Sequence, residues 1–204
     1  MSSENITVVI MGKSGAGKDT VGVHLGQVGY QRIVTYTSRP MREGEVDGRD
    51  YHFLSQRKFE ELREDGFFIE SRDYNARFGK CSYGTSKDSL KPNGKQYIII
   101  TPEGFENILK TNYEGLAPVY LQASDDVLGI RLKARADKET DKEKRKTLID
   151  EIDRRLAADR KDFEKIDKAV VLNSSEYGKV ICINVDNLSP EEVLGEILES
   201  IEKL

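Results

Sequence analysis

Short apolar runs alternate along the chain with segments in which apolar residues recur every three or four positions. The runs ITVVIM, KQYIIIT, PVYLQA, KAVVL and KVICINV are brief and rich in β-branched residues, and they read as buried strands. Strands that alternate with helical segments predict an α/β protein with a mainly parallel sheet. The helix starts carry cap signals. Ser124 precedes Asp125 and Asp126, and Thr101 precedes Pro102 at a first helical position. Ser189-Pro190-Glu191-Glu192 is a capping box before an amphipathic C-terminal helix, which is expected to pack on the sheet and carry no chemistry.

Two segments break the alternation. Residues 35–85 are dense in Arg, Tyr, Gly and acids, with a helix predicted from about Ser55 to Gly66 between strand-like DYHFL and FFIES. They are expected to form a polar insertion with a small sheet of its own. Residues 131–163, RLKARADKETDKEKRKTLIDEIDRRLAADRKDF, read as a solvated pair of helices whose charges mostly serve i, i+4 ion pairs. Neither an internal repeat nor a low-complexity tract is present.

Composition narrows the class. A chain of 204 residues suffices for one core that carries small insertions, and 33% charged residues describe a soluble globular protein. No apolar run approaches the ~20 residues of a spanning helix. The N-terminus lacks the basic flank and long apolar run of a secretory signal, so a cytoplasmic protein is expected. Cys81 and Cys182 lie far apart without a C-x-x-C partner or nearby histidines, and are expected to be reduced thiols. A net charge of −4 argues against nucleic acid as a partner. Any binding of nucleotides must therefore use basic residues concentrated locally.

Such a place begins at residue 12. Gly12-Lys13-Ser14-Gly15-Ala16-Gly17-Lys18 fits G-x-x-x-x-G-K between a predicted strand and a predicted helix. In that setting the N–H groups from Gly12 through Ser14, Gly15, Ala16 and Gly17 turn toward phosphate oxygens, the helix adds its positive end, and Lys18 reaches the outer phosphates. ATP with Mg2+ is the expected ligand. Asp19 occupies the position where a hydroxyl residue usually meets the metal, so it is expected to face the metal shell or to point away. Thr20 still offers a hydroxyl to an inner phosphate. The protein ligands of the metal stay unassigned.

Arg39 and Arg42, three apart, converge on one anion if the backbone turns tightly between them. Here the chain closely resembles guanylate kinase: SRPMREGEVDGRDYHF, GFFIE, YGTSK and the glycine-rich loop occur in that family's order. The resemblance covers nearly the whole chain and is strongest through residue 90. It implies a three-layer P-loop kinase fold with a central parallel sheet. The core would comprise residues 1–34, 86–130 and 164–204, with a GMP-binding insertion at 35–85 and a helical lid at 131–163.

Carried over residue by residue, the resemblance implies that Arg39, Arg42, Tyr51 and Tyr83 grip the phosphate of GMP, while Thr35, Glu70 and Thr85 read guanine. The chemistry agrees, since one carboxylate can accept both N1–H and N2–H of guanine, and adenine has no N1–H. Lid arginines in patterns like RLKAR and IDRRL fall on Arg135 and Arg155, with Arg145 and Arg154 as alternatives. Asn173 falls on the adenine-side loop. The family's D-x-D falls on Ile99 and Thr101, so two acids are replaced, and extra residues between Glu70 and Tyr83, YNARFGKC among them, predict a reshaped rim.

The expected reaction is direct transfer of the γ-phosphoryl of ATP to GMP or dGMP, by a monomer or homodimer, with no phosphoenzyme and no membrane partner. Two alternatives stay open. One is a P-loop kinase with another phosphorylated acceptor such as a ribose bisphosphate, which the retained Tyr51, Glu70 and Tyr83 oppose. The other is a nonenzymatic guanylate-kinase-like module that binds phosphopeptides, which the intact Gly15, Gly17 and Lys18 oppose.

Overall fold

The computed structural model describes residues 5–76, 79–90, 94–111, 113–171 and 179–204. The chain runs through β1 (Ile6–Gly12), α1 (Lys18–Gln27), β2 (Gln31–Arg32), β3 (Tyr36–Thr37), β4 (His52–Phe53) and α2 (Gln56–Glu64). It continues through β5 (Phe68–Ala76), β6 (Gly79–Ser86), a 3-10 turn (Lys87–Ser89), β7 (Lys95–Ile99), α3 (Pro102–Leu109) and β8 (Leu116–Gln122). Then come α4 (Asp125–Ala136), α5 (Lys142–Val171), β9 (Ile181–Asn184) and α6 (Pro190–Glu202).

Five parallel strands form the central sheet in the order β2-β7-β1-β8-β9. Every residue of β1 is buried, because helices cover both faces of the sheet and leave no side for polar residues. Val8 and Ile10 face one way, onto Val21 and Leu25 of α1 and Val193 and Ile197 of α6. Val9 and Met11 face the other way, onto Phe105 and Ile108 of α3 and Phe163 and Ile166 of α5. This is the expected three-layer arrangement.

A second sheet, ordered β4-β3-β6-β5, lies wholly within residues 36–86. Its β5–β6 hairpin pairs without a break from Glu70 opposite Thr85 to Ala76 opposite Gly79. The extra residues before Tyr83 therefore lengthen a hairpin, which raises a wall beside the site.

Ser55, Thr101, Ser124 and Ser189 all cap helices, each side chain accepting a backbone N–H two or three residues into the helix. At Ser189 the reciprocal bond from its own N–H to Glu192 Oε2 (2.7 Å) completes the capping box.

One predicted strand is not a strand. KAVVL was expected at the sheet, yet Lys168–Val171 form the last turn of α5, and Leu172 lies outside the described residues. The fifth strand of the sheet is instead the two-residue β2. Phe163, Ile166 and Ala169 recur at helical spacing and are all buried in the core. Burying a large apolar side chain is worth about 1.5–3 kcal/mol, more than the ~1 kcal/mol span of β propensity, so the helical stripe outweighs the local preference of two valines.

The packing of α1 on β7 tests this account. An added Cβ at Gly22 would lie 2.7 Å from Tyr97 Cε2, whereas at Gly26 of the same helix nothing lies within 4 Å. Gly26→Ala is expected to raise Tm, since alanine gains about 0.8–1 kcal/mol over glycine in a helix. Gly22→Ala is expected to lower it, because overpacking costs about 1–3 kcal/mol and exceeds that gain. Thermal melts of the two variants, measured side by side, check both signs.

Candidate active site

The glycine-rich loop hangs between the end of β1 and the start of α1. Gly15 (φ 88°) and Gly17 (φ 93°) adopt the left-handed conformation that disfavours side chains, which accounts for glycine at both positions. Gly17 is also the N-cap of α1 and offers no side-chain cap, so the first N–H groups of the helix stay open to an anion. One loop amide already holds one. The Ser14 N–H donates to Asp159 Oδ2 on α5 at 2.6 Å.

The Lys18 ammonium folds back and donates to the carbonyls of Gly12 (2.7 Å) and Lys13 (3.0 Å). Loss of hydration draws its pKa down, against the pull of Asp159 and Asp19, and the nearby Arg135 and Arg155 draw it further down. Lys13 pairs with Asp167 of α5 at 3.0 Å. Asp19 turns outward, 75% exposed and 3.9 Å from Arg32. It thus takes the second of its two expected placements.

The acceptor end is built on the β5–β6 hairpin. Glu70, Arg72 and Tyr74 alternate onto one face of β5, beside Cys81 and Tyr83 of β6, and all five line the cleft. Beneath them the buried Thr85 hydroxyl donates to Glu70 Oε1 at 2.6 Å. Burial raises the pKa of Glu70; the bond from Thr85 opposes that shift, as does Arg72, while Glu103 adds to it.

Arg39 grips the Glu45 carboxylate with two bonds of 2.6 and 2.5 Å, and the Arg42 N–H donates to the same carboxylate at 2.7 Å. The tight turn between the two arginines is therefore present, and Glu45 stands where they meet. The Arg39 guanidinium lies 5.0 Å from the centre of the Tyr51 ring, which meets the Tyr83 ring edge-on at 5.9 Å. Among the described residues the Arg42 guanidinium has no ion-pair partner. Desolvation, then Arg155 and Arg39, lower its pKa, so three guanidinium groups approach one another here.

One cleft of about 620 Å³ joins these two ends. It brings together Gly12, Ser14, Lys18, Thr35, Arg39, Arg42, Tyr51, Glu70 and Tyr83, and α5 closes one side with Arg155 and Asp159. A neighbouring hollow shares Lys18 and is lined by Gly15, Ala16, Gly17, Asp19, Thr20, Arg131 and Arg135. There Arg131 is spoken for, donating to the Val185 carbonyl at 2.6 Å. Arg154 also lines the main cleft, whereas Arg145 pairs with Asp137 where α4 and α5 meet. Asn173 lies outside the described residues.

The positions of the replaced acids have other work. Thr101 accepts the Gly104 N–H at 3.2 Å as the N-cap of α3, and Ile99 lines the cleft as an apolar wall. Sequence reading missed Asp159, Asp162 and Arg72. Asp159 and Asp162 sit beside Phe163 on the buried stripe of α5, which was the available signal. Nothing in one dimension pairs a helix carboxylate with a loop amide 145 residues away.

This arrangement has relatives. The sequence model of the family described as guanylate kinase matches residues 4–180. A guanylate kinase of Neisseria gonorrhoeae is 32% identical, over 95% of this chain and 94% of its own length. One of Wolbachia pipientis wMel is 30% identical, over 100% and 95%. The crystal structure of guanylate kinase from Anaplasma phagocytophilum superposes with a TM-score of 0.65 at 20% identity, over 98% of this chain and 86% of that one, and shares its fold. The match of the family model over most of the chain, together with relatives of at least 30% identity over nearly their full length, shows that the chain belongs to the guanylate kinase family.

Proposed function

We propose that the chain transfers the γ-phosphoryl group of ATP to GMP or dGMP. The observation that carries this reading is the single cleft that joins the Lys18 loop to the floor around Glu70, Arg39 and Arg42. Each end holds a carboxylate of the chain where a phosphate would bind: Asp159 at the loop and Glu45 at the arginines. Binding is then an exchange of anions, in which a phosphate displaces an internal carboxylate from donors already in place.

Phosphoryl transfer needs positioning and neutralisation of charge more than a covalent partner. Lys18, Arg42, Arg135 and Arg155 supply four cations around the junction of the two sites. Mg2+ fits the oxygen donors beside the loop. Among the described residues no three metal-binding side chains cluster, and Mg2+ characteristically takes one or two protein ligands together with substrate phosphates. Thr20, which lines the hollow beside the loop, carries the side-chain oxygen on α1 that would hold it, since Asp19 turns outward. When bound, the ion neutralises charge on the phosphates.

Glu70 reads the base. The one hydrogen of the Thr85 hydroxyl is spent on Glu70, so Thr85 has none left for O6 of guanine, and the Thr35 hydroxyl in the same cleft takes that part. Adenine would leave the half-buried carboxylate unmatched, and a hydrogen-bonding site rejects a ligand in that way. The same carboxylate costs stability. Its pKa is higher in the fold than in the unfolded chain, so between those two values the folded state holds more protons and stability falls as pH rises.

Three outcomes follow from this geometry. Lys18→Ala is expected to lower kcat by about 10²–10³-fold or more, read in a coupled ADP-release assay; an unchanged rate removes ATP from the loop. Asp159→Asn is expected to tighten ATP binding, measured by titration without acceptor, because the competing carboxylate is gone. Weaker binding would show that Asp159 helps to hold the nucleotide.

Glu70→Gln is expected to lose guanine activity while AMP, CMP and UMP rates change little, in kinetics on all four monophosphates. The same variant should melt a few degrees higher than wild type at pH 7. That difference should close below about pH 4, where both side chains are neutral. A wild type indifferent to the base would sink the assignment of Glu70.

A further inference from the structure

Arg72 lies one pleat from Glu70 on β5 and pairs across the hairpin with Tyr83. It thus stands between the carboxylate proposed to read the base and a tyrosine of the phosphate grip. Its guanidinium reaches carboxylates on two other elements. Nη1 lies 3.1 Å from Glu103 Oε2 in the first turn of α3, and Nη2 donates to Asp162 Oδ1 on α5. The Tyr74 ring, 4.8 Å from the guanidinium carbon, covers one of its faces.

The two pairs are unequal. The Asp162 side chain is 9% exposed and that of Glu103 is 57% exposed. A pair open to water contributes little, whereas removing one partner of a sheltered pair strands the other charge. The contact with Asp162 therefore governs where α5 sits. Asp162 follows Arg155 by seven residues, two helical turns, so both project from the same face of α5, and both line the cleft. Holding one fixes the bearing of the other.

We propose that Arg72 is a positioning residue for phosphoryl transfer. Through Asp162 it locks α5 onto the acceptor floor, and Arg155 is thereby aimed at the space between the two phosphate sites. The kinetic part rests on the function proposed above. Arg72 differs from Arg39 in its partners: Glu45 lies within the acceptor turn, whereas the carboxylates on Arg72 belong to α3 and α5.

The test compares Arg72→Ala, Asp162→Asn, the double variant and Arg72→Lys with wild type, for kcat and for both KM values. Each single change is expected to lower kcat on the order of 10–100-fold, the range in which a displaced catalytic group costs rate, with little effect on the GMP KM. The double variant should lose no more than the worse single, since both break the same link. Arg72→Lys should recover part of the rate, as a point charge still reaches one carboxylate.

Hydrogen exchange across residues 151–163 should rise in Arg72→Ala while that of α1 stays at the wild-type level. An unchanged kcat with a lowered Tm would overturn the positioning role. So would a GMP KM raised about tenfold in Arg72→Ala and not in Asp162→Asn, which would make Arg72 a direct ligand. A wild type inactive on every monophosphate would overturn the functional reading and the kinetic role with it. Exchange in α5 decides the lock independently of turnover, and unchanged exchange in Arg72→Ala would refute it.

Discussion

A cleft that gathers Lys18, Arg39, Arg42 and Arg155 around one space, with Arg135 in the adjoining hollow, must stay folded when no phosphate fills it. Like charges at such separations repel, and desolvation makes the repulsion worse. Desolvation first, and the neighbouring guanidinium groups after it, draw down the pKa values of Lys18 and Arg42. The chain relieves the repulsion with its own carboxylates. Glu45 sits between Arg39 and the Arg42 amide, Asp159 sits on the Ser14 amide, and Glu151 pairs with both Arg154 and Arg155, which bring its pKa down to about 2. These carboxylates offset the positive charge that the cleft concentrates.

The helix that supplies most of these carboxylates serves two masters. Its last turns bury Phe163, Ile166 and Ala169 against the sheet, while its earlier turns carry Glu151, Arg155 and Asp159 along the cleft. At thirty residues α5 is about 45 Å long, so one rigid element runs from the core to the substrates. Any movement of its cleft-facing half must bend the helix or tilt it against the core. Side-chain links along its length, Lys13 to Asp167 and Arg72 to Asp162, fix that tilt more sharply than apolar packing alone.

How much of this was legible in the sequence depended on the range of each interaction. Caps at Thr101, Ser124 and Ser189 are local, involve residues at most three apart, and were read correctly. The loop from Gly12 to Lys18 is likewise local in backbone geometry. KAVVL failed because its four-residue apolar run fits either period, and only the stripe begun at Phe163 decides between them. The convergence of Arg39 and Arg42 was foreseen as a turn, but the carboxylate that joins them, Glu45, was not. Asp159, Asp162 and Arg72 were missed for a stronger reason: each acts on a partner that the fold brings to it from more than eighty residues away, and the stripe beside Phe163 hinted only at the burial of the two acids.

The loss of the two acids at Ile99 and Thr101 fits the same electrostatic constraint. Glu70 is already raised in pKa by burial and by Glu103, so another carboxylate beside it would push it further toward the neutral acid. An apolar wall at Ile99 adds no charge, and Thr101 caps α3 with a neutral oxygen. Meanwhile Arg72, one pleat away on β5, pulls Glu70 back toward its charged form. The positive charge on the hairpin and the missing negative charge on β7 therefore act in the same direction. Both oppose the rise in the Glu70 pKa that burial causes.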